Sequence, residues 1–296
     1  MSRFDEFEKS LSSRMYEGPY IDGTLKFKPT SGKNMLRLLP ENVGGVYEPI
    51  IEQVSFFRIN GPGGKNYTVG LTPSDIEDGE RPLAKAFASQ VAAAGGAYLF
   101  FKNPALSEYF YRRYLLWVVA RPIVSSSGSE SNMECPKNVP LIAGLGYELV
   151  KSIIGSAKEF QAAGVNVVHP KNGRNLTFSM ERIGKQAKEV KYAFMGFAPV
   201  DSPLPDTPEV REFVKSPKKI TDVLYLPSPE LEEELASVFV DTCSSILLGD
   251  SRGPHAAREP HKAKPVRAEH AAKVHPSVEE VAESDSDSTE TDDIPW

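Results

Sequence analysis

The stretch Tyr109-Phe110-Tyr111-Arg112-Arg113-Tyr114-Leu115-Leu116-Trp117-Val118-Val119-Ala120-Arg121-Pro122-Ile123-Val124 decides how the rest of the chain is read. As a strand it places Tyr109, Tyr111, Arg113, Leu115, Trp117, Val119 and Arg121 on one face, because successive side chains alternate. Phe110, Arg112, Tyr114, Leu116, Val118 and Ala120 fall on the other. Both faces begin with aromatics interleaved with arginine and then turn aliphatic. Two meanings fit this pattern. Either it is a core strand with buried rings and rim charges, or one end leaves the core and offers rings for base stacking beside guanidinium groups for phosphates.

Upstream, Tyr20 to Pro29 and Lys33 to Pro40 read as strands, the second with Met35, Leu36, Leu38 and Leu39 around Arg37 and Pro40 at its end. Ile50 to Ile59 is a third, followed by Asn60-Gly61-Pro62-Gly63-Gly64-Lys65-Asn66. A phosphate-binding loop would need Gly at Ile59 and Ser or Thr at Asn66, so the glycines predict a hairpin turn between Phe56-Phe57-Arg58 and Tyr67-Thr68-Val69. Residues 81 to 94 predict a helix, with Pro82 near its start and Gly95-Gly96 beyond its end. Phe4, Phe7, Leu11 and Met15 stand at helical spacing and predict a short amphipathic N-terminal helix.

Downstream, Ser125 to Asn132 reads as a polar loop, Val139 to Gly146 as a strand, and Tyr147 to Phe160 as a helix with Leu149, Val150, Ile153 and Ile154 inward. Val165 to Ile183 predicts a hairpin turning at Asn172-Gly173, and Tyr192 to Phe197 a last strand. Lys171, Arg174, Arg182, Lys185, Lys188 and Lys191 gather here as a basic rim or as ordinary solvated charge. After a Pro-rich stretch, Thr207 to Lys215 and Pro229 to Leu248 predict helices, the second striped by Leu231, Leu235, Val238, Phe239 and Ile246. The expected fold class is mainly β with helical insertions (α+β).

Composition narrows the function. No run of about 18 apolar residues occurs, which argues against a membrane span. The opening Met-Ser-Arg-Phe-Asp-Glu-Phe-Glu has no apolar signal region, so a cytoplasmic location is expected. Cys135 and Cys243 are too few for a disulfide scaffold or a four-cysteine zinc site and are expected to be reduced and structural. His255, His261, His270 and His275 are too widely spaced for a metal site. No nucleophile elbow, metal-ligand spacing or paired-carboxylate motif is present, so an enzyme is not expected, nor a cofactor or metal.

The charge is divided along the chain. From 279 to 296 there are Glu279, Glu280, Glu283, Asp285, Asp287, Glu290, Asp292 and Asp293 and no Lys or Arg, so an overall −6 becomes +2 for the rest. Such a run offers almost no apolar surface to offset the entropy of ordering and is expected to stay extended. Its tip differs from acidic filler: Asp292 and Asp293 precede the apolar Ile294, Pro295 and Trp296, a plug suited to an apolar pocket rimmed with Lys or Arg. A mildly basic body with a detachable acidic end suits a nucleic-acid binder whose tail competes for its own groove.

Taken together, the Leu36-Arg37-Leu38-Leu39-Pro40 strand, the inserted helix, the Tyr111-to-Val119 strand, the strand and helix through Leu149 to Ile154, the Gly164 to Ile183 segment and Tyr192 resemble a known order. It is that of the T4-type phage single-stranded DNA-binding protein (helix-destabilising protein) family, over about residues 21–200. The Asp292-to-Trp296 tip is similar to the Asp-Asp-Ile-Pro-Phe tip of bacterial single-stranded DNA-binding proteins, with Trp in place of Phe. The resemblance implies an oligonucleotide-binding (OB) barrel that holds single-stranded DNA without sequence preference, and a tail that recruits replication, recombination or repair proteins such as a polymerase, a primase-helicase or a nuclease. It also implies a phage protein acting in the host cytoplasm. The chain departs from the family twice. The insert near residues 56–95 has no Cys or His for the family's zinc finger, and Asp5, Glu6 and Glu8 offset Arg3, Lys9 and Arg14 in what the family uses as a basic arm.

The expected organisation is an arm at 1–20, a DNA-binding OB core with helical insert and C-terminal helices at 21–249, a flexible basic linker at 250–278, and a partner-binding tail at 279–296. Expected phosphate contacts are Lys26, Lys28, Arg37, Arg58, Lys65, Arg112 and Arg113. Expected stacking platforms are Tyr67, Tyr109, Tyr111, Tyr114 and Trp117. A scaffolding or chaperone-like protein with the same tail and no DNA binding is the alternative.

Overall fold

The computed structural model describes residues 19–106, 109–123, 135–183 and 190–248. The expected N-terminal helix, the loop at 125–132, the linker, the tail, and Lys185 and Lys188 of the basic rim lie outside these residues. Along them run β1 (Gly32–Leu38), β2 (Pro40–Val43), β3 (Val46–Pro49), β4 (Ile51–Asn60) and β5 (Asn66–Leu71). Helices α1 (Pro73–Asp78), α2 (Pro82–Ala93) and α3 (Ala97–Lys102) follow, then β6 (Phe110–Ala120), β7 (Pro140–Leu145) and α4 (Tyr147–Ala162). The order closes with β8 (Leu176–Arg182), β9 (Val190–Phe197), α5 (Pro208–Lys215) and α6 (Pro229–Leu247). The fold is mixed α+β, an antiparallel sheet with helices.

The opening stretch is the hub of that sheet. At 11 residues β6 is long enough to bond β4 along Phe110–Leu116 and β1 along Val118–Ala120, end to end on one edge. Its other edge bonds β7 along Tyr114–Val119. The order is β5-β4-β6-β1-β8-β9, with β7 beside β6, and β2 and β3 form a separate pair. No hydrogen-bonded pairing joins β7 to β9 among the described residues.

Alternation along β6 divides the core as a period of two requires. Leu116, Val118 and Ala120 pack with Leu36, Leu38, Phe178 and the inner side of α4. Leu115, Trp117 and Val119 pack on the opposite face with Leu39, Val54 and Phe56, beneath Val210 and Phe213 of α5 and Ile220, Val223 and Leu224. A further cluster joins Phe57, Ile59, Val69 and Leu71 to α2, α3 and α6 through Leu83, Phe87, Phe100, Leu235 and Phe239. β6 is therefore buried on both faces from Leu115 to Ala120.

The expected β4–β5 hairpin forms, with Phe57 opposite Val69 and Ile59 opposite Tyr67. Its turn is a single 3₁₀ turn at Pro62–Gly64, where Gly63 adopts φ 67°, a value that favours glycine. Helix α2 starts at Pro82 and ends before Gly95-Gly96, as its composition dictates. The short α1 was not anticipated, yet it has a local signal. Thr72 and Asp75 form a reciprocal capping box, the Asp75 carboxylate accepting from the Thr72 N–H at 2.7 Å.

Three expectations are corrected. Tyr20 to Pro29 is not a strand, because Asp22-Gly23 turns the chain with Gly23 at φ 82°. What remains is a bridge from Tyr20 to Leu224 and a strap in which Phe27 N–H donates to Ile142 O at 2.8 Å and Ile142 N–H to Leu25 O at 3.0 Å. Residues 165–175 are a loop rather than the first arm of a hairpin, and β8 pairs with β1 and β9 instead. Ile154 faces outward and is 37% exposed, while Leu149, Val150 and Ile153 are buried as expected.

Candidate nucleic-acid interface

The face of β6 that carries Trp117 leaves its cover toward the start of the strand. There Tyr111 stacks on Phe56 of β4, the ring centroids 5.1 Å apart and the planes 24° from parallel. The pairing of Phe56 with Tyr111, and of Val54 with Arg113, sets this arrangement through backbone register. The guanidinium of Arg58 lies over the Tyr111 ring at 4.6 Å and that of Arg113 at 5.5 Å. Tyr20 meets Phe56 edge-on at 6.3 Å, and the Lys26 ammonium lies over Tyr20 at 4.8 Å. Lys26, Arg58 and Arg113 are exposed and make no ion pair within 4 Å among the described residues. Burial, then the neighbouring Tyr111, pushes the Tyr20 phenol well above its usual range, while Arg113 draws it down. Arg113 likewise opposes the upward shift that burial imposes on Tyr192. The result is a ladder of three successive rings at the open end of the sheet, with Lys26 at one end and Arg58 and Arg113 at the other, able to hold phosphates and present π-faces to bases.

The opposite face of β6 separates its residues from this ladder. Arg112 lies over Phe101 at 4.0 Å and over Phe110 at 5.8 Å, and burial lowers its guanidinium pKa. Tyr114 lies 6.2 Å from Tyr147 at the start of α4. The register places them together, since Tyr114 pairs with Leu145 and Gly146 then caps the helix.

Three expected contacts are buried and cannot reach DNA. Arg37 is 0% exposed. Its Nε donates to Ser202 O at 3.0 Å and its Nη2 to His169 O at 2.6 Å. Its Nη1 donates to Arg174 O at 3.1 Å and to Val167 O. Burial, followed by the charges of Arg121 and Arg174, brings its pKa down to about 10, still a cation at neutral pH. The guanidinium thus folds the 165–175 loop around itself. A Cβ on Gly173 would collide with that guanidinium and stand 2.6 Å from His169 O, so glycine serves here for space. Trp117 is 5% exposed and packs on Phe213 at 4.9 Å. Tyr67 is 5% exposed, its ring against Gly61 in the cluster that holds Leu235.

Lys28 and Lys65 are exposed, Lys65 at the β4–β5 turn and Lys28 beyond the strap. Tyr109 is half-buried, and its carbonyl accepts from the Arg58 N–H at 2.7 Å. Asp292, Asp293, Ile294, Pro295 and Trp296 lie outside the described residues. The ladder thus unites Lys26, Arg58, Tyr111 and Arg113 with Tyr20 and Phe56, which sequence reasoning missed. Their only signal was membership of neighbouring extended segments. Among the described residues no group of three or more His, Cys, Asp or Glu is placed to hold a metal, and no helix is long and apolar enough to cross a membrane. Both cysteines are free and buried. No protein-family model and no curated protein matches the chain.

Proposed function

We propose that the protein binds single-stranded DNA without sequence preference, protecting it rather than transforming it. The observation that carries this is the Arg58–Tyr111–Arg113 ladder on Phe56: two exposed guanidinium groups lie over a ring that stacks on a second, and neither arginine has an ion-pair partner within 4 Å among the described residues. Stacking on aromatic faces tolerates any base, and clustered cations follow a phosphate backbone.

The fold reading that fits this role is an oligonucleotide-binding barrel, a partly open five-stranded Greek key. In its favour, β7-β6-β1-β8-β9 is a continuous order with α4 between β7 and β8, and β2 to β5 with α1 to α3 form one insertion between β1 and β6. On this reading the protein is akin to the T4-type phage single-stranded DNA-binding family and acts in the bacterial cytoplasm. Its tip, Asp292 to Trp296, recruits replication, recombination or repair enzymes.

Fluorescence titration with poly-dT at two salt concentrations tests the reading. The affinity is expected to fall steeply with salt, with a log–log slope of about −0.7 per phosphate neutralised. Equal affinity at both salts would overturn the phosphate contacts, and no binding at either favours the scaffolding alternative.

A further inference from the structure

Helix α4 carries a second surface that its role in the core does not use. Leu149, Val150 and Ile153 face inward. Tyr147, Lys151, Ile154 and Lys158 recur at four, three and four residues, so they share one helical face. That face is open: Tyr147 is 56% exposed and Ile154 37%. Together with Tyr114 of β6 it lines a cleft of about 310 Å³. The Lys151 ammonium lies over the Tyr147 ring at 5.7 Å, and Tyr114 stands at 37° to that ring. Neither carboxylate of α4, Glu148 or Glu159, lines the cleft, although both lie on the Gly155 side of the helix.

Gly155 supplies an independent observation. It lines the cleft in the middle of the helix, where glycine is destabilising relative to alanine. Nothing in the fold requires it, since a Cβ there would meet no atom within 4 Å, and its φ is not positive. Its effect is to leave that side of the cleft open for something to approach the helix backbone.

We infer that this cleft is a second subsite for single-stranded nucleic acid, in which a base stacks on Tyr147 beside Tyr114 and Lys151 and Lys158 hold the flanking phosphates. This inference rests on the DNA-binding reading and extends it. Arg113 and Tyr114 are successive residues on opposite faces of β6, so a strand leaving the ladder crosses the end of β6 to reach the cleft. A planar anionic ligand satisfies both the rings and the two lysines, which a purely apolar partner would not.

The test compares wild type, Tyr147→Ala, Lys151→Ala with Lys158→Ala, and Gly155→Leu, whose side chain fills the cleft. Each is titrated with poly-dT over a range of salt, with thermal melting as the control for folding. Tyr147→Ala is expected to weaken binding about tenfold, and the double lysine variant to reduce the salt slope by about 1.4. Gly155→Leu is expected to weaken binding and shorten the occluded length while melting no lower than wild type. Irradiating the wild type with iododeoxyuridine-containing oligo-dT should place a cross-link on Tyr147 or Tyr114. Unchanged affinity, slope and occluded length in all three variants, beside a weakened Arg58→Ala, Arg113→Ala control, would overturn the cleft and leave the DNA-binding reading standing. So would a cleft occupied by an acidic peptide and not by oligo-dT. Failure of wild type to bind poly-dT overturns both.

Discussion

Arg37 and Arg113 lie on the same face of the same sheet, because Arg37 pairs with Val119 and Val119 shares its face with Arg113. Their surroundings are opposite. Arg37 is sealed under the 165–175 loop and Ser202 with carbonyl oxygens on every nitrogen, whereas Arg113 is exposed beside a tyrosine ring. Burying a cation is tolerable only when its hydrogen bonds are met, and main-chain carbonyls accept from four of the five N–H groups of Arg37. The difference shows that a guanidinium on a strand is left open to solvent only where the second layer stops. Here that layer, built from α5 and the loops around it, ends before Tyr111.

The comparison can be broken most severely from the interior. Arg37→Ala strands several carbonyls without donors and should lower stability by about 4 kcal/mol or more, measured by urea denaturation. Gly173→Ala should cost a similar amount through collision with the guanidinium. It should cost less in the Arg37→Ala background, because neighbours sharing one clash are not additive. Equal penalties in the two backgrounds would show that the glycine serves something other than Arg37.

At the rim the expected effect moves from stability to affinity. Arg58→Ala with Arg113→Ala should change unfolding free energy by less than about 1 kcal/mol, since only exposed cation–π contacts and the exposed hydrogen bond from Arg113 Nη1 to Arg112 O at 3.0 Å are lost. The same protein should lose affinity for poly-dT and about 1.4 from its salt slope. A large loss of stability without a change in slope would mean that this end of β6 is core after all.

The smallest effect concerns reactivity. Burial pushes the Cys243 thiol up to about 12, and also raises Cys135. The reactive thiolate is therefore scarce at neutral pH, and native protein should take up iodoacetamide far more slowly than unfolded protein. Fast labelling of Cys243 in the native chain, located by peptide mapping, would show that the packing of α6 opens readily.

What could be read from sequence follows the same division. The β6 stretch, α2, α4 and the β4–β5 turn were legible because their signals are local: alternation, Pro at a start, Gly at an end. Arg37 and Trp117 were misread because a period of two says which face a residue takes but not whether a distant segment covers that face. The covering pieces, Ser202 and Phe213, lie far along the chain. Asn172-Gly173 predicted a turn between strands, yet its glycine answers to a guanidinium more than a hundred residues earlier. The ladder was half legible, since Tyr111 and Arg113 are in the hub strand, whereas Tyr20 and Phe56 join it through pairing and through a strap.

That strap bears on how the protein behaves outside its function. β7 has β6 on one side, and on the other its Ile142 N–H and C=O are engaged by Leu25 and Phe27, with the Phe27 ring driven into the core. A bare strand edge templates pairing with any extended chain it meets and is a common origin of aggregation. Here the chain blocks that edge with its own early residues, so solubility at β7 and the anchoring of Lys26 beside the ladder depend on the same short ribbon. Trimming residues 19–28 to make a smaller protein would remove both at once.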